Sequence, residues 1–359
     1  MPRFDVSKAW IILVPPNIPA AEKAAGDLAR CIGLLRGRAG LSAKPPALED
    51  ASGPAPPESA PIVVLNSENG VQERNGFTWR TGAGRVEIYG ESDRGLCGGI
   101  YDFLAKLGVR WPAPGREELP SPMADRNGGY ALAASGAYEP SGYIGKGPAS
   151  WRRFVPGKNS RMFSPKNREA LVQWAARNKY DALCVSFEDL LSSRFRKERE
   201  TLQKLADEYA LGIEAGGWEL SLMVPRRLFL FHRDLFRMEE GRRKQQYNFC
   251  PTNPGVIGII KSEGTKYFRA AEGISVFNLW PDKDGEEAWC SCPTCRAFTP
   301  AEQNRIAVNA VADVLASINP EAFILYWENP GEESNIPMRS NLFRIECLPE
   351  EPGADKCFT

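Results

Sequence analysis

From about Ser135 onward the chain repeats one pattern, a short apolar run of strand length beside an amphipathic stretch of helical length. A helix over 165–178 precedes a strand over 182–187, and a helix over 196–209 precedes a strand over 211–215. A strand over 247–250 is followed by a helix from Pro254, and a strand over 274–279 by a helix over 300–318. Strands over 323–327 and 342–346 close the series. Parallel strands need a crossover connection, usually a helix, so this repeated alternation implies a parallel sheet. The pattern therefore predicts an α/β fold, and its natural architecture is a (β/α)8-like TIM barrel. The repeat occupies about 220 residues where such barrels take about 250, and the chain stops soon after the last of these strands. The barrel therefore reads as incomplete at its C-terminus.

The first part of the chain follows a different pattern. A strand over 8–14 leads into a helix over 19–36, in which Ala20, Ala24, Leu28, Cys31, Ile32 and Leu35 share one face. A Pro, Ala and Ser-rich loop over 42–60 precedes a strand over 61–65, a hairpin over 77–88 and a helix over 95–107 that Gly108 caps. These elements make a small α+β domain over 1–122, with Pro112, Pro114, Pro120 and Pro122 marking its exit and the barrel domain occupying 135–359. At 359 residues the chain exceeds what one core usually holds, so two domains are expected.

Composition narrows the partners. Forty-five basic residues balance forty-five acidic ones, which speaks against nucleic acid as a partner. No apolar stretch approaches the roughly 20 residues of a membrane-spanning helix. Trp10-Ile-Ile-Leu-Val14 is short and followed by two prolines, so it reads as a strand and not as a secretory signal. Nine cysteines, an odd number, fit reduced thiols and a cytoplasmic location. The oligomeric state is not legible.

Four of those cysteines stand out. Cys290, Cys292 and Cys295 fall within six residues, and Cys250 ends a preceding strand. Cys-x-Cys-x-x-Cys can fold around one tetrahedral ion, with Cys250 as the fourth ligand of a structural zinc. Ordinary buried thiols, or one disulfide, are the alternatives; Cys290 and Cys292 are too close in sequence to bridge without strain. Catalysis needs no cofactor in this reading.

Carboxylates gather at strand ends, where barrel enzymes place their chemistry. Glu188, Glu214, Asp282, Asp284 and Glu328 all follow apolar runs. Asp282 in Trp280-Pro-Asp and Glu328 in Tyr326-Trp-Glu-Asn form the best pair, since aromatic faces stack on the apolar faces of sugar rings. Glycoside hydrolysis usually requires two such carboxylates, one to protonate the leaving oxygen and one to attack or activate water. Asp282, Glu328 and Asp284 are thus the catalytic candidates, with Trp280, Tyr326, Trp218, Glu188 and Glu214 as candidates for holding a carbohydrate. Each acid has a plainer alternative as a helix cap or loop salt bridge: Glu188 and Glu214 either orient substrate or bind arginine, and Asp284-Gly285 also fits a simple turn. His232, the sole histidine, lies between apolar residues and reads as a packed side chain; without a Gly-x-Ser-x-Gly elbow, a serine triad is disfavoured.

Two motifs carry a family resemblance. Asn248-Phe-Cys-Pro-Thr-Asn-Pro254 and the segment from Trp280 to Cys295 resemble the glycosidase-like barrel family called domain of unknown function 4838. Gly76-Phe-Thr-Trp-Arg80, Arg85-Val-Glu-Ile-Tyr-Gly90 and the segment from Gly98 to Gly115 look like the N-terminal domain shared by α-glucuronidases and β-hexosaminidases. The resemblance implies a glycoside-hydrolase-like protein acting on an oligosaccharide, a uronic-acid-containing one among the options. A non-catalytic carbohydrate-binding or scaffold protein is the alternative. Where the family commonly has His after Glu214-Ala-Gly-Gly, this chain has Trp218, which favours that alternative.

Overall fold

The computed structural model describes residues 3–54, 60–67, 75–82, 84–120, 129–131, 135–138, 143–144, 147–148, 153–154, 167–282, 288–328 and 334–345. The protein is a mixed α/β structure that divides into two compact units. One comprises Met1–Tyr143, Pro148–Leu183 and Glu200–Gly212; the other comprises Ile144–Gly147, Cys184–Arg199 and Ile213–Thr359.

The first unit is built on a six-stranded mixed sheet. Its strands are β1 (Ile11–Val14), β2 (Ala47–Asp50), β3 (Ile62–Ser67), β4 (Phe77–Gly82), β5 (Arg85–Gly90) and β6 (Ser135–Tyr138), in the spatial order β6-β4-β5-β3-β1-β2. Helices α1 (Pro19–Arg38) and α2 (Asp93–Lys106) bury their apolar faces in this unit. Close approach of α2 to the sheet requires small residues: a Cβ on Gly99 would lie 2.8 Å from the Ile88 side chain. Trp79 fills the centre, edge-on to Phe103 at 5.5 Å, and its indole N–H donates to Asp102 over 2.9 Å.

The loop expected over 42–60 contains β2, which pairs parallel to β1. All four residues of β2 are exposed, so no alternation of apolar residues betrays it; only its backbone bonds make it a strand.

Buried arginine ties this unit together. Arg94, 5% exposed, donates to the carbonyls of Tyr209 and Ala176 and lies 3.8 Å from the Asp181 carboxylate. Ala176 is in the last turn of α3 (Arg168–Arg177), where carbonyls lack helical partners. Arg94→Ala is expected to lower stability by about 3–5 kcal/mol, because it removes a buried guanidinium and its bonds to two interior carbonyls. Equilibrium urea denaturation checks this.

The second unit holds parallel strands with helical crossovers. The end of β8 (Ala182–Val185), whose other end pairs with β7 (Arg153–Phe154), is followed across the sheet by β9 (Gly212–Gly217), β12 (Val276–Leu279), β13 (Phe323–Trp327) and β14 (Leu342–Ile345). A separate hairpin joins β10 (Met238–Glu239) to β11 (Arg242–Arg243). β9, β12, β13 and β14 pair with one another in parallel register. Among the described residues β14 is an edge, so the sheet is open there.

Helix starts follow their capping signals. Asn253 caps α6 (Pro254–Ala270), and Thr299 with Glu302 forms a capping box on α7 (Pro300–Ile318). The strand expected over 247–250 is absent: Phe249 makes a single bridge to Phe236, and Tyr247 has φ of 60°. An aromatic residue in left-handed backbone cannot continue a strand. The strand expected to reach Phe187 ends at Val185, because Ser186 caps the short helix α4 (Phe187–Leu191), which α5 (Ser193–Asp207) follows.

Candidate functional site at the strand ends

Three consecutive parallel strands end in tryptophan. Trp218 follows β9, Trp280 follows β12 and Trp327 ends β13. The ladder continues past the strands, with Trp280 N–H donating to Gly217 and Leu220 N–H to the Trp280 carbonyl. The indoles consequently meet: Trp218 lies 5.4 Å from Trp280 and 5.7 Å from Trp327 between ring centroids, both at steep angles. Trp280 and Trp327 are buried, whereas Trp218 is 37% exposed and presents this cluster to solvent. Of the three, Trp327 was not singled out from the sequence, although its place at a strand end beside Glu328 was a signal.

Glu328 adjoins this cluster and is 2% exposed. Its Oε2 accepts from Arg305 of α7 over 2.6 Å and lies 3.7 Å from Arg344. The Tyr326 hydroxyl donates to the same oxygen over 3.4 Å. Burial and the nearby Glu328 carboxylate push the Tyr326 phenol up to about 12, so it remains a donor. Tyr326 thus orients Glu328 and is itself fully buried. Glu328 Oε1 and the indole nitrogens of Trp280 and Trp327 are buried with no hydrogen-bond partner among the described residues.

Asp282 sits two residues beyond Trp280. Its carboxylate accepts from Ser221 over 2.6 Å and faces Arg226 at 3.4 Å, while its N–H donates to Asn248. Burial pulls the Arg226 guanidinium down, and Asp282 opposes that shift. Trp218 therefore bridges the segments bearing the two best candidate acids, Asp282 and Glu328. Asp284 lies outside the described residues.

The remaining candidates fall elsewhere. Glu214 is buried within β9, accepting from Asn278 of β12 over 2.6 Å and from the Cys184 thiol over 3.6 Å. Glu188 is exposed in the first turn of α4. A carboxylate that the sequence reading passed over, Glu219, is buried and accepts from Phe187 N–H over 2.8 Å. His232 is exposed at the start of a 3-10 turn and is not packed as expected.

The four cysteines singled out do converge. The sulfurs of Cys250, Cys290, Cys292 and Cys295 all lie within 4.8 Å of one another, and all four residues are buried and free of disulfides. Cys250 is 3.8 Å from Cys292 and 3.6 Å from Cys295. Donors surround them: Met238 N–H reaches Cys290 at 3.2 Å, Cys295 N–H reaches Cys292 at 3.5 Å, and Arg243 lies 3.7 Å from Cys290. The basic segment Gly241–Lys244 contributes Arg243 to this cluster. Hydrogen bonds from Cys290 and Cys295 pull the Cys250 thiol down, and that sharing pushes Cys290 up to about 11 and Cys295 higher still.

No protein-family model matches the sequence, and no curated protein is significantly similar to it. Solved structures do resemble its fold. A mutant β-hexosaminidase of Streptomyces plicatus in complex with product (GlcNAc) is 14% identical over 90% of this chain and 62% of its own, with a TM-score of 0.50. The chitobiase of Flavobacterium johnsoniae is 15% identical over 91% of this chain and 50% of its own, with a TM-score of 0.49. A glycoside hydrolase family 20 exo-β-N-acetylglucosaminidase from Vibrio harveyi, in complex with N-acetylglucosamine, is 14% identical over 97% and 55%, with a TM-score of 0.48. The chain spans little more than half the length of these structures. At such identities the likeness is one of fold, and that fold is glycoside-hydrolase-like.

Proposed function

We propose that the protein is a carbohydrate-active protein of the glycoside-hydrolase type, with its sugar site at the ends of β9, β12 and β13. The parallel strands belong, in this reading, to a (β/α)8-like barrel preceded by an α+β domain, as in the resemblance to domain of unknown function 4838. The carrying observation is the gathering of Trp218, Trp280 and Trp327 beside Glu328, with two indole N–H groups and one carboxylate oxygen buried without partners among the described residues. Such groups cost about 1–3 kcal/mol each when left unmade, and sugar hydroxyls supply the missing donors and acceptors. Indole faces meanwhile stack on the apolar face of a pyranose.

Glu328 and Asp282 act in this proposal at the glycosidic oxygen and the anomeric carbon. Glu328 is ion-paired on one oxygen and has no partner among the described residues on the other, which suits a base or a partner for developing positive charge on the sugar. The substrate class is an oligosaccharide. N-acetylhexosamine is one candidate unit, after the ligands of the similar structures. A uronic acid is another, since Arg344 brings a partly exposed guanidinium beside Glu328.

A second reading, non-catalytic sugar binding, is favoured by one observation: both Asp282 and Glu328 are engaged by arginine side chains, as purely structural carboxylates are. Aryl N-acetylglucosaminides and aryl glucuronides separate the two readings. Turnover that Asp282→Asn and Glu328→Gln each abolish, with sugar affinity kept, supports the hydrolase. Binding without turnover in the parent supports the second reading. Trp218→Ala is expected to weaken sugar affinity about tenfold in either case, a loss of about 1.4 kcal/mol, measurable by calorimetry. Unchanged affinity would remove Trp218 from the site.

A further inference from the structure

We propose that Cys250, Cys290, Cys292 and Cys295 hold one structural zinc ion that clasps the loop carrying Asp282. A zinc ion with four sulfur ligands at about 2.3 Å places those sulfurs about 3.8 Å apart, the edge of a tetrahedron. The separations of 3.8 Å and 3.6 Å from Cys250, with all four sulfurs within 4.8 Å, match that figure. A disulfide needs about 2.05 Å, so no pair here is bonded. Binuclear iron–sulfur clusters spread their sulfurs into two separated pairs, which this compact group does not.

The surroundings fit thiolates rather than thiols. Two backbone N–H groups, from Met238 and Cys295, point at sulfur, and the Thr252 hydroxyl lies 3.1 Å from Cys295. Arg243 adds a positive charge beside Cys290. Neutral thiols gain little from such donors, whereas four thiolates around a divalent cation carry net negative charge and are steadied by them. With four thiolates the ion has no open coordination position, so its role is structural and it activates no water.

The clasp reaches the proposed sugar site through backbone and amides. Asn248, two residues before Cys250 and fully buried, accepts from Asp282 N–H and donates to the Ala288 carbonyl. One amide side chain thus fixes both ends of the segment between Asp282 and Ala288, and Ala288 is two residues from Cys290. From the other side Gln303 of α7 accepts from Cys290 N–H and donates to the carbonyls of Cys290 and Cys295. Linking Cys250 to Cys295 closes a long loop, which removes freedom from the unfolded chain.

Zinc content tests this without reference to activity. The full chain, expressed in zinc-supplemented medium and purified without chelator, is expected to carry one zinc per chain by elemental analysis. Titration with a mercurial should release that zinc to a chromophoric indicator as four thiols react. Cys250→Ser and Cys295→Ser are expected to lose most of the zinc, while Cys97→Ser, outside the cluster, keeps it. Cobalt substitution should give the intense visible bands of a tetrahedral tetrathiolate ion. The proposal fails if the parent carries no zinc, if iron replaces it, or if mercurial releases none. Neither the parent measurement nor the mercurial release depends on a variant folding. The carbohydrate reading can fail with this proposal intact, and the reverse also holds.

Discussion

Glu328→Gln is expected to reduce hydrolysis of a cleavable aryl glycoside by at least about a hundredfold while leaving sugar affinity within a few-fold of the parent. The substitution keeps the shape and one acceptor but removes the charge that would stabilise positive character at the anomeric carbon, and single catalytic carboxylates of this type typically contribute about 10²–10⁴ in rate. Stability should fall as well. Arg305 donates over 2.6 Å to a carboxylate whose side chain is 1% exposed, and its own side chain is 13% exposed. Removing one partner of a buried pair costs about 3–5 kcal/mol, because the other charge stays desolvated. Glu328→Gln combined with Arg305→Met should recover most of that stability and none of the activity. Urea denaturation beside single-turnover kinetics separates the effects. Full activity in Glu328→Gln would rule out any chemical role for this carboxylate.

The second large effect is expected at Gly216. This residue has φ of +97°, a conformation that costs most residues 1 kcal/mol or more. A Cβ there would drive into the carbonyl oxygen of Asn278 on β12 and lie 3.2 Å from the Phe187 ring. Both neighbours are fixed, one by the parallel register that pairs Gly216 with Asn278 and the other by burial. Gly216→Ala is therefore expected to cost more than about 4 kcal/mol, beyond the range of ordinary substitutions, and to leave the chain largely insoluble. Gly258→Ala is the control: it lies within α6, a Cβ there meets nothing within 4 Å, and Ala favours helix by about 0.8–1 kcal/mol. Soluble yield and urea midpoints distinguish them. A Gly216→Ala protein as stable as its parent would mean that β9 and β12 are not held as closely as described.

Much of the candidate site was visible in sequence because its residues follow strand ends. Trp218, Trp280 and Glu328 each stand just beyond an apolar run, and chain direction alone assigns them to one edge of a parallel sheet. The cysteines were visible for another reason, since three thiols in six residues have few structural uses. Their partners were not visible. Arg305 stands on a helix before the strand that leads to Glu328, Ser221 and Arg226 are remote from Asp282, and Asn248 reaches across forty positions to Ala288. No local pattern marks such pairs, because each depends on where two separate segments pass one another. The segment at Tyr247 has strand composition, but its backbone is left-handed at Tyr247, which no run of residue types marks.

By itself the sequence determined the α/β class, the helix starts at Pro254 and Pro300, and which residue types stand at the strand ends. Those follow from periodicity, capping and chain direction, which are properties of neighbouring residues. Only the tertiary structure decided that three indoles touch, that each favoured carboxylate meets an arginine, and that four sulfurs share one pocket. Such arrangements depend on side chains from distant segments approaching to within a few ångströms, and that distance is set by packing of the whole unit.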